Sequence, residues 1–489
     1  MSASNTKGGG FLERRLAGEQ QVLARPLRTL VQKAPVVCRA QQTVREAAEL
    51  MHAHDVGSVV VVDDAGRPTG VFTTNDLVAS AARRGEDQAV GEVMTPAPFS
   101  LPGHAMAYEA ALAMMGMKIR HVLVMEDDRL AGVVSERDLF SLQRLGLGEI
   151  TTEIRLAATV EVLVELAAEI RKLARLLVDE GVAAEQLTMF VSVLNDRLCQ
   201  RILEIERKQH QWDQISWCWL AFGSEGRFEQ TFSTDQDNGI VFLAHDASAP
   251  DAVRERLLPF ARRVNEGLDA CGFPLCKGQV MASNPRLCLS VEEWKEKIRG
   301  WIEAPQPNAL LDAAICFDFR ALHGDATLAV GLREWIHPLT RANPSFLRLM
   351  AEIALESRPP LGVLRDFHTS DAPALRHTVN LKLNGARPFI DAARIYALAQ
   401  GLPQTNTADR LRAARASNGM GAAEAEGLVA AFFVVQRLRL ATQAVLEPGD
   451  EGANRIDPDK LNPFERRVLK EAFLQARRLQ SRLALDYQV

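Results

Sequence analysis

The chain has 489 residues, enough for about three domains that each bury a core. Apolar residues make up 47% and charged residues 24%, which excludes a wholly disordered chain or a coiled-coil rod. Lys and Arg number 57 against 62 Asp and Glu, a net charge of −5 that speaks against nucleic-acid binding by bulk electrostatics.

The longest apolar stretches, such as Leu428–Val435, fall short of the roughly 20 residues needed to span a bilayer. The N-terminus lacks the apolar run of a secretory signal, so a cytoplasmic protein with a flexible segment over 1–24 is expected. Seven cysteines form no disulfide framework. Cys271, Cys276 and Cys288 lack paired CxxC spacing and a His partner, and are read as buried thiols rather than a zinc site.

The first third contains a repeat. Gly57–Leu77 and Arg120–Leu139 each show a β-branched run, an acidic turn, a second short strand, and Thr or Ser three residues before Asp at a helix start. Helical patterns precede both, over Thr43–His54 and Ala107–Lys118, and strands are expected before those, at Ala34–Cys38 and Val93–Pro98. Two β-α-β-β-α modules of about sixty residues in tandem are predicted. The endings Gly70/Thr73/Asp76 and Gly132/Ser135/Asp138 resemble those of paired CBS domains, over roughly residues 25–145. The resemblance implies an AMP- or ATP-type ligand between the repeats, with Thr73 and Ser135 facing phosphate and Asp76 and Asp138 on the ribose diol. On the residues alone, the two aspartates could equally flank their helices.

Ile150–Gln211 reads as two long antiparallel amphipathic helices broken near Asp179–Gly181. They could transmit strain between domains or serve as packing.

The chemical centre follows. Trp217–Phe222 is an apolar strand running into Gly223-Ser224-Glu225-Gly226-Arg227-Phe228-Glu229-Gln230. Then come Thr234-Asp235-Gln236-Asp237-Asn238 and a strand over Gly239–Leu243. Gly223 lets backbone approach a phosphate, and Ser224 with nearby amides can grip it. Asp235 and Asp237 alternate along extended chain, so both carboxylates fall on one side and form a hard oxygen site for Mg²⁺ or Mn²⁺. As turn residues ahead of a strand they would have a blander role.

This order resembles the nucleotidyltransferase superfamily, and more closely the CBS-bearing nucleotidyltransferases whose catalytic domain looks like that of PII uridylyltransferases and glutamine-synthetase adenylyltransferases. Gly226-Arg227-x-Glu229 is the feature of that group. The resemblance implies an NTP substrate, with Gly223, Ser224, Arg227, Glu229 and Lys277 at the nucleotide and its phosphates; Asn284 would join them. It implies Asp318, in Ile315–Arg320, as a third metal ligand or general base beside Asp235 and Asp237. A structural Asp318–Arg320 pairing is the alternative. The implied reaction moves UMP or AMP to a protein hydroxyl, with PII or another signalling protein as acceptor. The His-Asp hydrolase motif of bifunctional relatives is absent from the sequence.

From Thr340 onward, helical runs over Asp366–Tyr396, Ala408–Ala416, Ala422–Leu446 and Lys460–Leu485 predict a bundle of four or more helices. It is similar to the substrate-binding helical domain of the same family, with Lys382 and Arg394 as candidates to face the nucleotide cleft. The expected fold is multidomain α+β: a CBS pair over 25–147, a helical linker over 148–211, a mixed-sheet nucleotidyltransferase domain over 212–338 and a helical bundle over 339–489. A homodimer is expected, with no membrane or nucleic-acid partner. Rival functions are a silent nucleotide-sensing interaction protein and a transferase acting on a small molecule.

Overall fold

The computed structural model describes residues 26–489 other than 32–33, 55, 83–86, 118, 128, 136–145, 211–214, 245–249, 306–309, 311–313, 363–366, 371, 373–374, 416–418 and 447–449. The flexible segment expected over 1–24, and Asp138, lie outside the described residues. The chain divides between Thr152 and Glu153 into two compact units.

The first unit holds two copies of one motif. In the first copy, β1 (Val37–Arg39) leads to α1 (Val44–Ala53), then β2 (Ser58–Val62), β3 (Pro68–Thr73) and α2 (Thr74–Ala82). Thr43 caps α1 reciprocally with Glu46, each side chain bonding the other's backbone N–H. A short α3 (Val90–Val93) and β4 (Thr95–Pro96) complete a four-stranded sheet in the order β1-β2-β3-β4. The second copy runs β5 (Ser100–Pro102), α4 (Ala107–Met117), β6 (His121–Glu126) and β7 (Arg129–Ser135). In both copies the first strand pairs parallel with the second, and the hairpin closes antiparallel.

Helix α5 (Gly146–Leu156) contains the boundary, and the second unit continues with α6 (Val160–Asp179) and α7 (Ala184–Arg207). The last of these is buried along much of its length, including the polar Ser192, Asn195 and Asp196. It is a packing element of the unit rather than a solvated spacer. A mixed sheet follows, built of β8 (Trp217–Ala221), β9 (Asn238–Phe242), β10 (Cys288–Ser290) and β11 (Arg320–Gly324) in the order β10-β9-β8-β11. Between the first two strands lies a single helical turn, α8 (Gly223–Gly226), and between the next two lies α9 (Pro250–Ala270). Then come α10 (Val291–Glu303), α11 (Ala326–Arg341) and α12 (Pro344–Ala354).

The helix expected over 366–396 is absent in that form. A short β12 (Val379–Asn380) is followed by a π-helical turn, Leu381–Ala386, and α13 begins only at Arg387, ending at Gln400. The Asn380 side chain accepts the Leu383 N–H and so opens the turn locally. Pro388 then sits at the first positions of α13, where its missing N–H costs nothing. The remaining elements are α14 (Thr407–Ala414), α15 (Ala422–Ala444), β13 (Arg455–Ile456), which pairs with β12, and α16 (Pro463–Tyr487). One hydrophobic core runs from sheet residues such as Leu220 and Val241 through Phe389 and Phe432 to Phe473 on α16. The mixed sheet and the C-terminal helices therefore fold around common packing.

The α8 turn is wedged tightly. A Cβ on Gly226 would lie 1.9 Å from the Asp318 carbonyl oxygen and 2.9 Å from that of Ala221. Both are backbone atoms, so relief requires moving a strand or its flank. Gly226→Ala is expected to destabilise the second unit by about 1–3 kcal/mol or more. A thermal melt of the full chain with an unchanged transition for this unit would contradict that packing.

Candidate active site

The register of one hairpin assembles the site. Ala221, the last residue of β8, lies opposite Asn238, the first of β9. The chain beyond β8 therefore turns directly against the residues that enter β9. Phe222 donates its N–H to the Asp237 carbonyl at 2.9 Å. Gly223 adopts φ +54°, and a Cβ there would fall 2.8 Å from Asp237 Oδ2. Glycine is needed twice, for the left-handed backbone and for the carboxylate pressed against it.

The acidic pair is aimed by the residue between its members. Gln236 is buried, and its Nε2 donates to the carbonyls of Asn265 (2.9 Å) and Phe273 (2.8 Å). Asn265 Nδ2 in turn donates to Gln236 Oε1 at 2.7 Å and to Asn238 Oδ1 at 3.0 Å. With Gln236 and its neighbours clamped inward, alternation turns Asp235 and Asp237 to the other side. Their carboxylates and the Cys276 thiol lie within 4.8 Å of one another. Lys382, on the π-helical turn, brings Nζ to 3.9 Å from Asp235 Oδ1, with both side chains about half exposed.

The electrostatics follow from this crowding. Burial and the adjacent Asp235 carboxylate push Asp237 up to about 7, against opposing contributions from the Cys276 thiol, Lys382 and Arg227. Glu225 is pushed up to about 8, first by burial and then by Asp196 and Asp237, with Arg320 opposing. Burial also raises the Cys276 thiol, as does Asp237. Two like charges at one opening with one distant lysine are what a divalent cation would relieve. The donors fit: two carboxylates suit Mg²⁺ or Mn²⁺, and a thiol adds a softer ligand. Cys276 was expected only as a core thiol, and it is buried as such, but spacing along the chain gave no sign that it borders the acidic pair.

The other expected site residues separate into two groups. Ser224, on the α8 turn, is half-buried and follows Gly223, and Lys277 lies exposed on the loop following Cys276. Asn284 is a cap: its side chain accepts the Arg286 N–H and donates to the Gln279 carbonyl.

Asp318, Arg227 and Glu229 require revision. Asp318 has no exposed surface, and its carboxylate is bonded by Arg227 Nη1 (2.6 Å), Arg394 Nη2 (2.6 Å) and Arg410 Nη1 (2.5 Å). Burial opposes its ionisation, yet Arg394, Arg410 and Arg227 together hold it far below the usual carboxylate range. With its oxygens so occupied it is a structural counter-ion, neither a metal ligand nor a base. Arg227 is committed to this carboxylate and, at 2.8 Å, to Glu229, so neither is available to phosphate. Arg394, a candidate for the cleft, also bonds Asp391 at 2.6 Å. Arg320 pairs with Asp196 on α7 rather than with Asp318.

In the first unit, Asp76 Oδ2 accepts both the N–H (2.9 Å) and the hydroxyl (2.8 Å) of Thr73 at the β3–α2 junction. Ser135 ends β7, opposite His121.

Three family models match this chain. "CBS domain" covers residues 27–83 and 90–144, "Putative nucleotidyltransferase DUF294" covers 168–308, and "Putative nucleotidyltransferase substrate binding domain" covers 344–487. The chain is a CBS pair joined to a DUF294 nucleotidyltransferase domain and its substrate-binding partner. Among curated relatives, an uncharacterized 17.7 kDa protein of Acidianus ambivalens is 33% identical over 104 residues, spanning 21% of this chain and 63% of that protein. Hypoxic response protein 1 of Mycobacterium tuberculosis is 28% identical over 113 residues, spanning 22% of this chain and 79% of that protein. A CBS domain protein of Pyrobaculum aerophilum, solved in complex with AMP, is 26% identical, with a TM-score of 0.24 over 25% of this chain and 97% of that one. The acidic pair and the α8 turn both fall inside the span of the DUF294 model, whereas Lys382, Arg394 and Arg410 fall in that of the substrate-binding model. Among the described residues, no helix is long and apolar enough to cross a membrane.

Two measurements probe this geometry. Asp318→Asn leaves three buried guanidiniums without their shared partner and is expected to cost about 3–5 kcal/mol. Chemical denaturation that shows no shift would remove the counter-ion role. The second concerns pH. Asp237 keeps its proton in the fold between about pH 4, where an unfolded Asp ionises, and about pH 7. Its contribution to stability therefore falls as pH climbs through that window, and a cation that binds the carboxylate pair relieves the loss. Added Mg²⁺ should raise the melting temperature more at pH 8 than at pH 5. An equal shift at both values would contradict cation binding at this pair.

Proposed function

We propose that the chain transfers a nucleoside monophosphate from a nucleoside triphosphate to an acceptor hydroxyl. What carries this reading is the close approach of Gly223 to the Asp237 carboxylate, which sets a backbone bend beside a paired acidic site. Asp235 and Asp237 hold a divalent cation, with Cys276 beside them. Such a cation supplies positive charge to the triphosphate oxygens when bound. Ser224 and the N–H groups of the bend donate to phosphate oxygens; α8 is one turn only, so these are individual hydrogen bonds and not a helix dipole. Lys382 adds a cation on the open side of the pair. The acceptor oxygen bonds to the α-phosphorus, the bond to the bridging oxygen breaks, and pyrophosphate leaves. The hydroxyl proton is lost to solvent at the half-exposed Asp235. Catalysis here is positioning and charge stabilisation.

The finer reading rests on the resemblance of the Gly-Ser and Asp-x-Asp segments to PII uridylyltransferases: UMP or AMP is moved to a hydroxyl on a signalling protein. An adenine nucleotide at the CBS pair regulates the transfer, a role supported by the Thr73 and Asp76 arrangement, in which Asp76 Oδ1 is left without a hydrogen bond among the described residues. Incubating wild type and Asp237→Ala with labelled UTP and labelled ATP in a cell lysate tests both levels. Labelling of a protein band by wild type, and its loss in a variant with an unchanged melting profile, is expected. Equal labelling by both proteins would overturn the assignment of the acidic pair, and labelling confined to small molecules would overturn the protein acceptor.

A further inference from the structure

A cavity of about 950 Å³ lies in the C-terminal half, away from the acidic pair in its lining. Its size falls at the upper end of the roughly 300–1,000 Å³ range of small-molecule sites. Three arginines from separate parts of the chain line it: Arg358 after α12, Arg455 on β13 and Arg477 on α16. Two are held in place by single neutral contacts. Arg455 Nη1 donates to Thr378 Oγ1 at 3.2 Å, and Arg477 Nη2 donates to the Leu361 carbonyl at 2.8 Å.

Among the described residues none of the three pairs with a carboxylate, in contrast to Arg227, Arg394 and Arg410, which all bond Asp318. Among the described residues Glu356 is the one carboxylate in the lining, set against the three arginines. The floor is already built. Buried Gln480 donates Nε2 to the carbonyls of Ala354 (3.1 Å) and Ser357 (3.0 Å), and Asn384 donates to the Arg358 carbonyl at 3.0 Å.

We propose that this cavity binds a small molecule carrying at least two phosphate groups. Planar guanidinium forks match phosphate oxygens two at a time, and three arginines lining one concave space exceed what a single phosphate can use. The Ser370 hydroxyl and the second N–H of the Asn384 amide offer the neutral hydrogen bonds that such an ester or its sugar would take. The concave shape favours a small ligand over a protein surface. The site also borders the catalytic region: Asn380 and Asn384 line the cavity, and Lys382 between them reaches Asp235. An occupant therefore bears on the same π-helical turn that presents the lysine. The inference does not depend on the transfer reaction.

The test is titration calorimetry of the full chain with inorganic pyrophosphate in EDTA at low ionic strength, which removes divalent cations and supplies no base for the CBS pair. Wild type is expected to bind, and Asp237→Ala to bind equally. The pair Arg358→Gln with Arg455→Gln should weaken binding about ten-fold or more. Arg358→Gln alone, at an exposed side chain, should weaken it several-fold and keeps the test decisive if the double variant does not fold. Absence of binding to wild type, unchanged binding by the arginine variants, loss of binding in Asp237→Ala, or equal binding of sulfate would each overturn the proposal.

Discussion

A carboxylate with no solvent contact sits among three guanidiniums, and the geometry of the rest of the second unit is tied to it. An isolated buried charge costs many kcal/mol, so Asp318 is tolerable only with Arg227, Arg394 and Arg410 in place. Glu229 and Asp391 share these arginines with it, Glu229 at Arg227 and Asp391 at Arg394, and Arg387 pairs with Asp391 as well. Arg227 leaves the α8 turn, while the other two belong to α13 and α14. The clamp continues in neutral bonds, with Asn406 Nδ2 donating to the Arg227 carbonyl at 3.0 Å and Thr407 N–H to Glu229 Oε1 at 2.6 Å. From the opposite side, Arg320 bonds both Asp196 on α7 and the Glu225 carbonyl. The bend that faces Asp237 is thus gripped from its two flanks by elements far away in sequence.

The acidic pair contrasts with that arginine-rich network. Lys382 lies 3.9 Å from Asp235 and also acts on Asp237, and the more buried of the two carboxylates holds a proton to near neutrality. Glu225 behind them is likewise raised. Asp318 is met by three guanidiniums at close range, whereas this opening keeps two carboxylates and one lysine, a local negative excess where a cation can enter.

Local features were readable from the amino-acid order, and long-range ones were not. The tandem hairpins, the Gly223-Ser224 bend and the Asp-x-Asp entry to β9 announce themselves because turn chemistry and alternation act within a few residues. Asp318 was misread because its partners are 91, 76 and 92 positions distant, and a short apolar segment with one Asp looks alike whether its carboxylate meets metal or arginine. Arg227 and Glu229 were expected at the nucleotide, and the structure places them in ion pairs with each other and, for Arg227, with Asp318. Cys276 escaped notice because burial describes it equally well as core or as a neighbour of the acids. The helix expected through 366–386 failed for a local reason, the Asn380 cap, that competes quietly with helical periodicity.

The common core of the mixed sheet and the C-terminal helices bears on how such chains are partitioned. The two matched segments, 168–308 and 344–487, are separate words in the vocabulary of sequence families, yet Asp318 lies in the gap between them and takes guanidiniums from both sides. Cutting there would strand a naked anion in oil and an unmatched trio of cations. Separated during evolution, each of the two segments would lose charges that the other matches, so they are expected to be inherited together.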